Sequence, residues 1–140
     1  MALLDPRKRK DAHAAKRLRD ELIVWLTTVS PQGQPQSSPV WFWWDGDVFH
    51  AFSQPRQPKL RNIAANPGVS LHLEGGTEGE DVVVFEGRAE VLRDGEPATS
   101  LPDYIGKYQR LIANYGWTPE SFAADYAVPI VIQPTRVRIS

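Results

Sequence analysis

Between Ser53 and Asn62 the sequence reads SQPRQPKLRN. Arg56, Lys59 and Arg61 are the only basic residues between Arg19 and Arg88, an interval that holds nine acidic ones. Ser53, Gln54, Gln57 and Asn62 surround these cations with neutral hydrogen-bonding groups. Such a set binds an anion, and a phosphate would need little else. Pro58 suits the first position of a helix. PKLRNIAAN (58–66) carries the apolar stripe Leu60, Ile63 and Ala64 expected of a short one. Free N–H groups at a helix start attract an anion, and Lys59 adds a full charge to them. At about 100° per residue, Lys59 and Asn62 share one flank of this helix while Arg61 points away. Arg56 falls in the loop just before it. The plainer alternative is that the three cations only solvate a surface turn.

The preceding strand adds a second kind of chemistry. SSPVWFWW (37–44) ends in four consecutive aromatic residues. Pleating sends Trp41 and Trp43 to one face and Phe42 with Trp44 to the other. One face can fill a barrel core; the other is left for a subunit interface or a flat ligand. Pro39 lacks a backbone donor, so the strand is an edge or is interrupted there. An edge strand could turn its remaining backbone groups toward a ring.

Other reactive constellations are weak. His50 and His72 could lie on neighbouring strands, but a metal site needs a third ligand and no carboxylate is spaced to supply it. His13 reads as a helix surface residue. The chain has no cysteine, which removes thiolate chemistry and sulfur metal sites. It has no GxSxG elbow, and the glycines of GGTEG (75–79) fit neither Walker nor Rossmann spacing. The carboxylates are scattered. A catalytic residue is therefore unknown, and an enzyme of this composition would leave the hard chemistry to a bound cofactor.

The elements that must position these residues follow from periodicity. RKRKDAHAAKRLRD (7–20) reads as a helix with Asp5 as N-cap and Pro6 at its first position, docked through Ala12, Ala15 and Leu18 or their neighbours. It carries seven of the sixteen basic residues. A nucleic-acid arm is conceivable, but no aromatic residue interleaves the charges, so a solvated face is the better reading. Strands are expected at 22–29, 37–46, 48–53, 69–74, 82–93 and 127–140. A bulge is expected at Gly87 and an interruption at Pro134. Tyr104, Tyr108, Leu111, Ile112 and Tyr115 then fall at helical spacing before Gly116. TPESFAADY (118–126) opens a short helix whose Thr118–Ser121 offset falls short of a full capping box. The expected architecture is a single mainly β domain over 1–140: six antiparallel strands closed as a barrel, an N-terminal helix about 6–20 and a C-terminal helical segment about 103–125.

With 140 residues and a net charge of −1, the chain has no global field to draw nucleic acid or an anionic membrane. The first residues lack the apolar core of an export signal, and no run approaches a membrane span. The expected compartment is the cytoplasm.

Taken together, residues 25–75 and 104–140 resemble the flavin/deazaflavin oxidoreductases of the pyridoxamine-phosphate-oxidase-like split β-barrel superfamily. They are most similar to the branch that uses coenzyme F420. The features that carry the likeness are P-x-x-x-P-V-W-F, S-Q-P, K-x-R-N and N-P, in that order. The resemblance implies a homodimer with two cofactors in grooves at the interface. It implies that Lys59 and Asn62 hold a cofactor phosphate, with Ser53, Gln54, Arg56 and Gln57 nearby, and that Pro39, Val40 and Trp41 run along the ring. Some relatives have an arginine where this chain has Gln57. The implied reaction is hydride transfer from reduced F420 to a small organic acceptor; from the histidine spacing above, no metal is expected. Flavin mononucleotide is the alternative cofactor, and carriage of a flavin or tetrapyrrole without catalysis is the alternative role.

Overall fold

The structure, a computed structural model, describes residues 3–140. Its strands are β1 (Val24–Val29), β2 (Pro35–Val40), β3 (Trp43–Trp44), β4 (Phe49–Ser53), β5 (Gly68–His72), β6 (Val83–Val91) and β7 (Val128–Ile139). Its helices are α1 (Arg9–Asp20), α2 (Pro58–Ala65), α3 (Pro102–Asn114) and α4 (Pro119–Asp125), with a 3-10 turn at Ala98–Ser100. Among the described residues there are thus seven strands, not the six expected. The difference lies at 37–46, which forms two strands rather than one.

All pairings are antiparallel, in the order β2-β1-β5-β6-β7-β4-β3. The two edge strands, β2 and β3, are joined by Trp41 and Phe42 alone. The sheet must therefore curl until its edges approach, which makes a half-open barrel. Tyr108 of α3 fixes the break. Its hydroxyl accepts the Phe42 N–H at 2.7 Å and lies 2.9 Å from the Phe42 carbonyl and 2.8 Å from that of Leu22. The backbone groups that leave the ladder at this corner are thereby satisfied by a side chain.

The barrel is filled by Val24, Leu26, Phe42, Phe49, Leu71, Phe85, Ile130 and Ile132, all at 1% exposure or less. Alternation along β1 and β6 sends these positions inward. β6 and β7 slip register between Glu86 and Gly87, with Gly87 opposite Pro134. This is the expected bulge, with Thr135 as the additional residue. A Cβ at Gly87 would lie 2.6 Å from the Gln133 carbonyl oxygen, so the crossing requires glycine. β7 continues through Pro134 rather than stopping there, because the shifted register absorbs the missing donor.

Two helix starts differ from expectation. α1 begins at Arg9 with Lys8 as N-cap, and no side chain caps it. The Asp5 carboxylate is occupied instead by Arg7, whose N–H and guanidinium both donate to it. α1 docks through Ala14 and Leu18. Arg17 anchors it by pairing with Glu21 and by donating to the Asp81 and Glu74 carbonyls. At α4 a complete capping box forms with serine in the place of glutamate. Ser121 N–H donates to Thr118 Oγ1 at 3.0 Å, and Thr118 N–H donates to Ser121 Oγ at 2.9 Å. Among the described residues, no helix is long and apolar enough to cross a membrane.

Candidate functional site

The segment 54–61 is flanked by two cavities of different character. The smaller, about 350 Å³, is lined by Pro39, Val40, Trp41, Ser53, Gln54, Gln57 and Lys59, together with Ile23, Phe52, Tyr104, Tyr115, Trp117, Phe122 and Tyr126. The larger, about 940 Å³ and more open, takes in Arg56, Gln57, Arg61, Arg93, Leu60, Ala89 and Val128. The cationic cluster of the sequence is therefore split by its own helix. Lys59 faces the aromatic cavity, whereas Arg56 and Arg61 lie on the open groove beside Arg93. Gln57 borders both.

The backbone explains the split. β4 ends at Ser53, which is buried and donates its hydroxyl to the Gln54 carbonyl at 2.7 Å. Arg56 turns the chain with φ +67°, a left-handed conformation unusual for a residue with a Cβ. α2 then starts at Pro58, and no side chain caps it. The first-turn N–H groups of the helix lack a side-chain acceptor, as an anion site requires.

Lys59 is half-buried, and burial lowers its ammonium below the ordinary lysine range. None of the ion pairs among the described residues involves it. A partly desolvated cation without a carboxylate favours an anion placed against it. Asn62 stands differently. It is 1% exposed, and its amide donates to Thr28 Oγ1 at 2.9 Å and to Gln36 Oε1 at 2.8 Å. Both amide hydrogens are thus engaged in tying α2 to β1 and β2, and Asn62 lines neither cavity.

The aromatic lining arises from sequence positions far apart. Trp41 lies parallel to Tyr108 at 4.5 Å between centroids, and Phe122 stacks 5.4 Å from it. Phe122 continues to Tyr126 at 5.0 Å, and Trp117 to Tyr115 at 4.8 Å. The face of the 41–44 segment that carries Trp41 is therefore covered in part by the chain's own α3 and α4, and the half-buried Trp41 still borders the cavity. Phe42 and Trp44 pack into the barrel, as alternation requires. Seven lining residues escaped the sequence reading: Ile23 and Phe52, beside or on barrel strands, and five aromatic residues of the C-terminal helical region, Tyr104, Tyr115, Trp117, Phe122 and Tyr126. The only signal for these five was the helical spacing of the tyrosines, which equally describes a packing stripe.

His50 and His72 are on β4 and β5, which are not neighbours in the sheet. His50 pairs with Asp45 at 2.8 Å and stacks on Trp43; His72 stacks on Trp25. Each is accounted for by its local partners.

The chain matches the family model described as pyridoxamine 5'-phosphate oxidase over residues 11–140. Among solved structures it is similar to an F420 reductase, at 30% identity over 88% of this chain and 94% of that one, with a TM-score of 0.66. It is also similar in fold to a Listeria innocua protein designated a pyridoxamine 5'-phosphate oxidase, at 22% identity over 94% and 98% of the two chains, with a TM-score of 0.70. An FAD-binding protein from Mesorhizobium loti has the same fold, at 24% identity over 90% and 88%, with a TM-score of 0.64. No curated protein matches the chain in sequence. The curled antiparallel sheet, its break at Trp41–Phe42 and this match over nearly the whole chain place the protein in the pyridoxamine 5'-phosphate oxidase-like split-barrel family.

Proposed function

We propose that the protein is a reductase dependent on the deazaflavin F420, with its reaction in the 350 Å³ aromatic cavity. The observation that carries this reading is the pairing, on one cavity, of an unpartnered half-buried lysine with an indole wall. Lys59 suits a phosphate, and Trp41, held parallel on Tyr108, suits a flat ring. The cavity volume falls within the range usual for small-molecule sites. The 30% identity to an F420 reductase supports the choice of deazaflavin over flavin mononucleotide.

When bound, such a cofactor supplies a hydride. The chain's own contribution is position and exclusion of water. Tyr108 holds the Phe42 peptide and so sets the Trp41 indole. Pro39 and Val40 bring exposed and half-buried edge backbone to the cavity. Gln54 and Gln57 offer neutral donors beside Lys59. Nothing in this set is built to move a proton, in keeping with the scattered carboxylates of the sequence. A homodimer is part of the same proposal: Ile23 and Tyr115, both exposed on the cavity lining, are side chains that a second copy would cover.

Titration with oxidised F420 and with flavin mononucleotide, followed by fluorescence, tests the cofactor. Tight F420 binding is expected, and flavin retention without F420 binding would favour the flavin-dependent reading. Lys59→Ala should weaken the F420 complex by roughly 1.5–3 kcal/mol, the cost of a lost charged hydrogen bond. Arg61→Ala, on the other groove, should change it far less. Equal losses would remove Lys59 from its special place. Sedimentation velocity would test the dimer directly.

A further inference from the structure

Tyr104 is fully buried, and among the buried side-chain polar atoms of the described residues its hydroxyl is the one without a hydrogen-bond partner. Leaving such a group unsatisfied is costly, and native structures seldom do so without a reason. One turn along α3, Tyr108 is equally buried and fully satisfied. The helix therefore had a ready way to satisfy a phenol at this depth and does not use it at 104. Tyr104 is also a lining residue of the aromatic cavity, with Trp41, Trp117, Phe122 and Tyr126. Its ring is fixed by an edge contact to Phe52, 4.9 Å between centroids, and a tilted one to Tyr108 at 5.2 Å. The phenol is thus held in place on the aromatic wall of the cavity, with a hydroxyl that no protein group claims.

We propose that the Tyr104 hydroxyl donates a hydrogen bond to a carbonyl oxygen of a flat conjugated ring bound in this cavity. The chemistry follows from the lining. Stacked aromatic side chains favour a planar ring, and an unpartnered buried donor on the aromatic wall favours a ring that carries an acceptor. Burial pushes the Tyr104 phenol well above its usual range, with Tyr108 and Tyr126 adding to the effect. The group therefore stays protonated at neutral pH and acts as a donor, not a base. This deepens the reductase reading and rests on its choice of cavity. The carbonyl could belong to the ring of the cofactor or to the acceptor molecule, and both present the same oxygen to Tyr104.

The test is Tyr104→Phe in the full chain. Because the hydroxyl has no protein partner, the variant should fold and melt no lower than the wild type, while Tyr108→Phe, measured alongside, should melt lower. Binding is then measured by quenching of tryptophan fluorescence with two probes of matched shape, a naphthoquinone and naphthalene. Tyr104→Phe should weaken the quinone roughly tenfold and leave naphthalene unchanged. A parallel titration with oxidised F420 assigns the oxygen: weakened F420 binding in Tyr104→Phe places the carbonyl on the cofactor, and unchanged binding places it on the acceptor. If a folded Tyr104→Phe binds quinone and F420 as the wild type does, the proposal is overturned. Failure of the wild type to bind F420 while the quinone effect persists would sink the deazaflavin reading and leave the Tyr104 inference standing.

Discussion

The barrel interior and the aromatic layer outside it both pack apolar side chains, yet they are built from different chemistry. The interior packs Val, Leu, Ile and Phe, with no tyrosine among its buried members. The outer layer packs Phe52, Tyr104, Tyr108 and Phe122 against Trp41, Trp43, Trp117 and Tyr126. The first is a core that gains its stability from apolar burial alone. The second is a core in which several members carry a polar handle, as suits a layer that also borders a cavity. Tyr104 and Tyr108 give the contrast within one helix: one handle closes the sheet corner, the other is unclaimed by the protein.

Breaking the interior should cost most. Phe85 is fully buried and lies edge-on to Phe49 at 5.0 Å. Phe85→Ala should lose about 3–5 kcal/mol in urea unfolding, the usual range for deleting a buried phenyl group. A loss below 1 kcal/mol would mean that the interior can collapse around the gap. Next comes the corner. Tyr108→Phe keeps the ring stacked on Trp41 but strands the buried Phe42 N–H. The expected loss is about 1–3 kcal/mol, accompanied by weaker binding in the cavity as Trp41 is freed. Unaltered stability would show that the corner does not depend on the phenol.

The smallest effect sharpens the seam between the two layers. Lys107 of α3 places its ammonium 3.6 Å above the Phe42 ring and donates to the Leu18 carbonyl at 3.0 Å. Burial brings it down to about 8, against the opposing pull of Asp20 and Glu21. Below pH 8 the folded and unfolded chains both carry this proton, and its burial cost is present in full. Between about 8 and the usual lysine value of 10.5 the folded chain loses the proton first. The unfolded state then binds more protons, so stability rises with pH in this window. Wild type should therefore gain on Lys107→Met between pH 7 and pH 10 in parallel urea titrations. Because the side chain is only part-buried, the gain is expected to be modest. Parallel pH curves would show that the lysine titrates like a surface group.

How far the sequence could be read differs between the same two layers. The barrel strands were legible because their signals are local: β1, β4, β5 and β6 fall close to the ranges expected from β-branched and aromatic enrichment, the turn at 45–47 and the clean alternation of 69–74. The break at Trp41–Phe42 was not, because four aromatic residues in a row look like one strand until Tyr108, sixty-six positions away, takes over the Phe42 backbone. The site was legible in part. Lys59 and Trp41 were named from local spacing, and the structure brings them to one cavity. Arg56 was named on the same grounds, but its φ of +67° opens it to the other groove. Asn62 shares the helix flank of Lys59, yet contacts to β1 and β2 consume its donors. Tyr104 and Trp117 were invisible as site residues because a helix that packs and a helix that lines a cavity share one period.

By itself, then, the sequence determined what short-range physics controls: the strand period, the Pro58 helix start, the glycine at the β6 bulge and the concentration of cations in 56–61. It also carried the family likeness, whose motifs span the strand, loop and helix that meet at Lys59. Only the tertiary structure decided which cations face the cavity, where the sheet splits, and which of two buried tyrosines keeps a free hydroxyl. Those outcomes depend on contacts between residues tens of positions apart, set when the sheet curls and α3 with α4 close over its outer face. No local pattern encodes them, because the same residue types at the same spacings satisfy either arrangement until packing selects one.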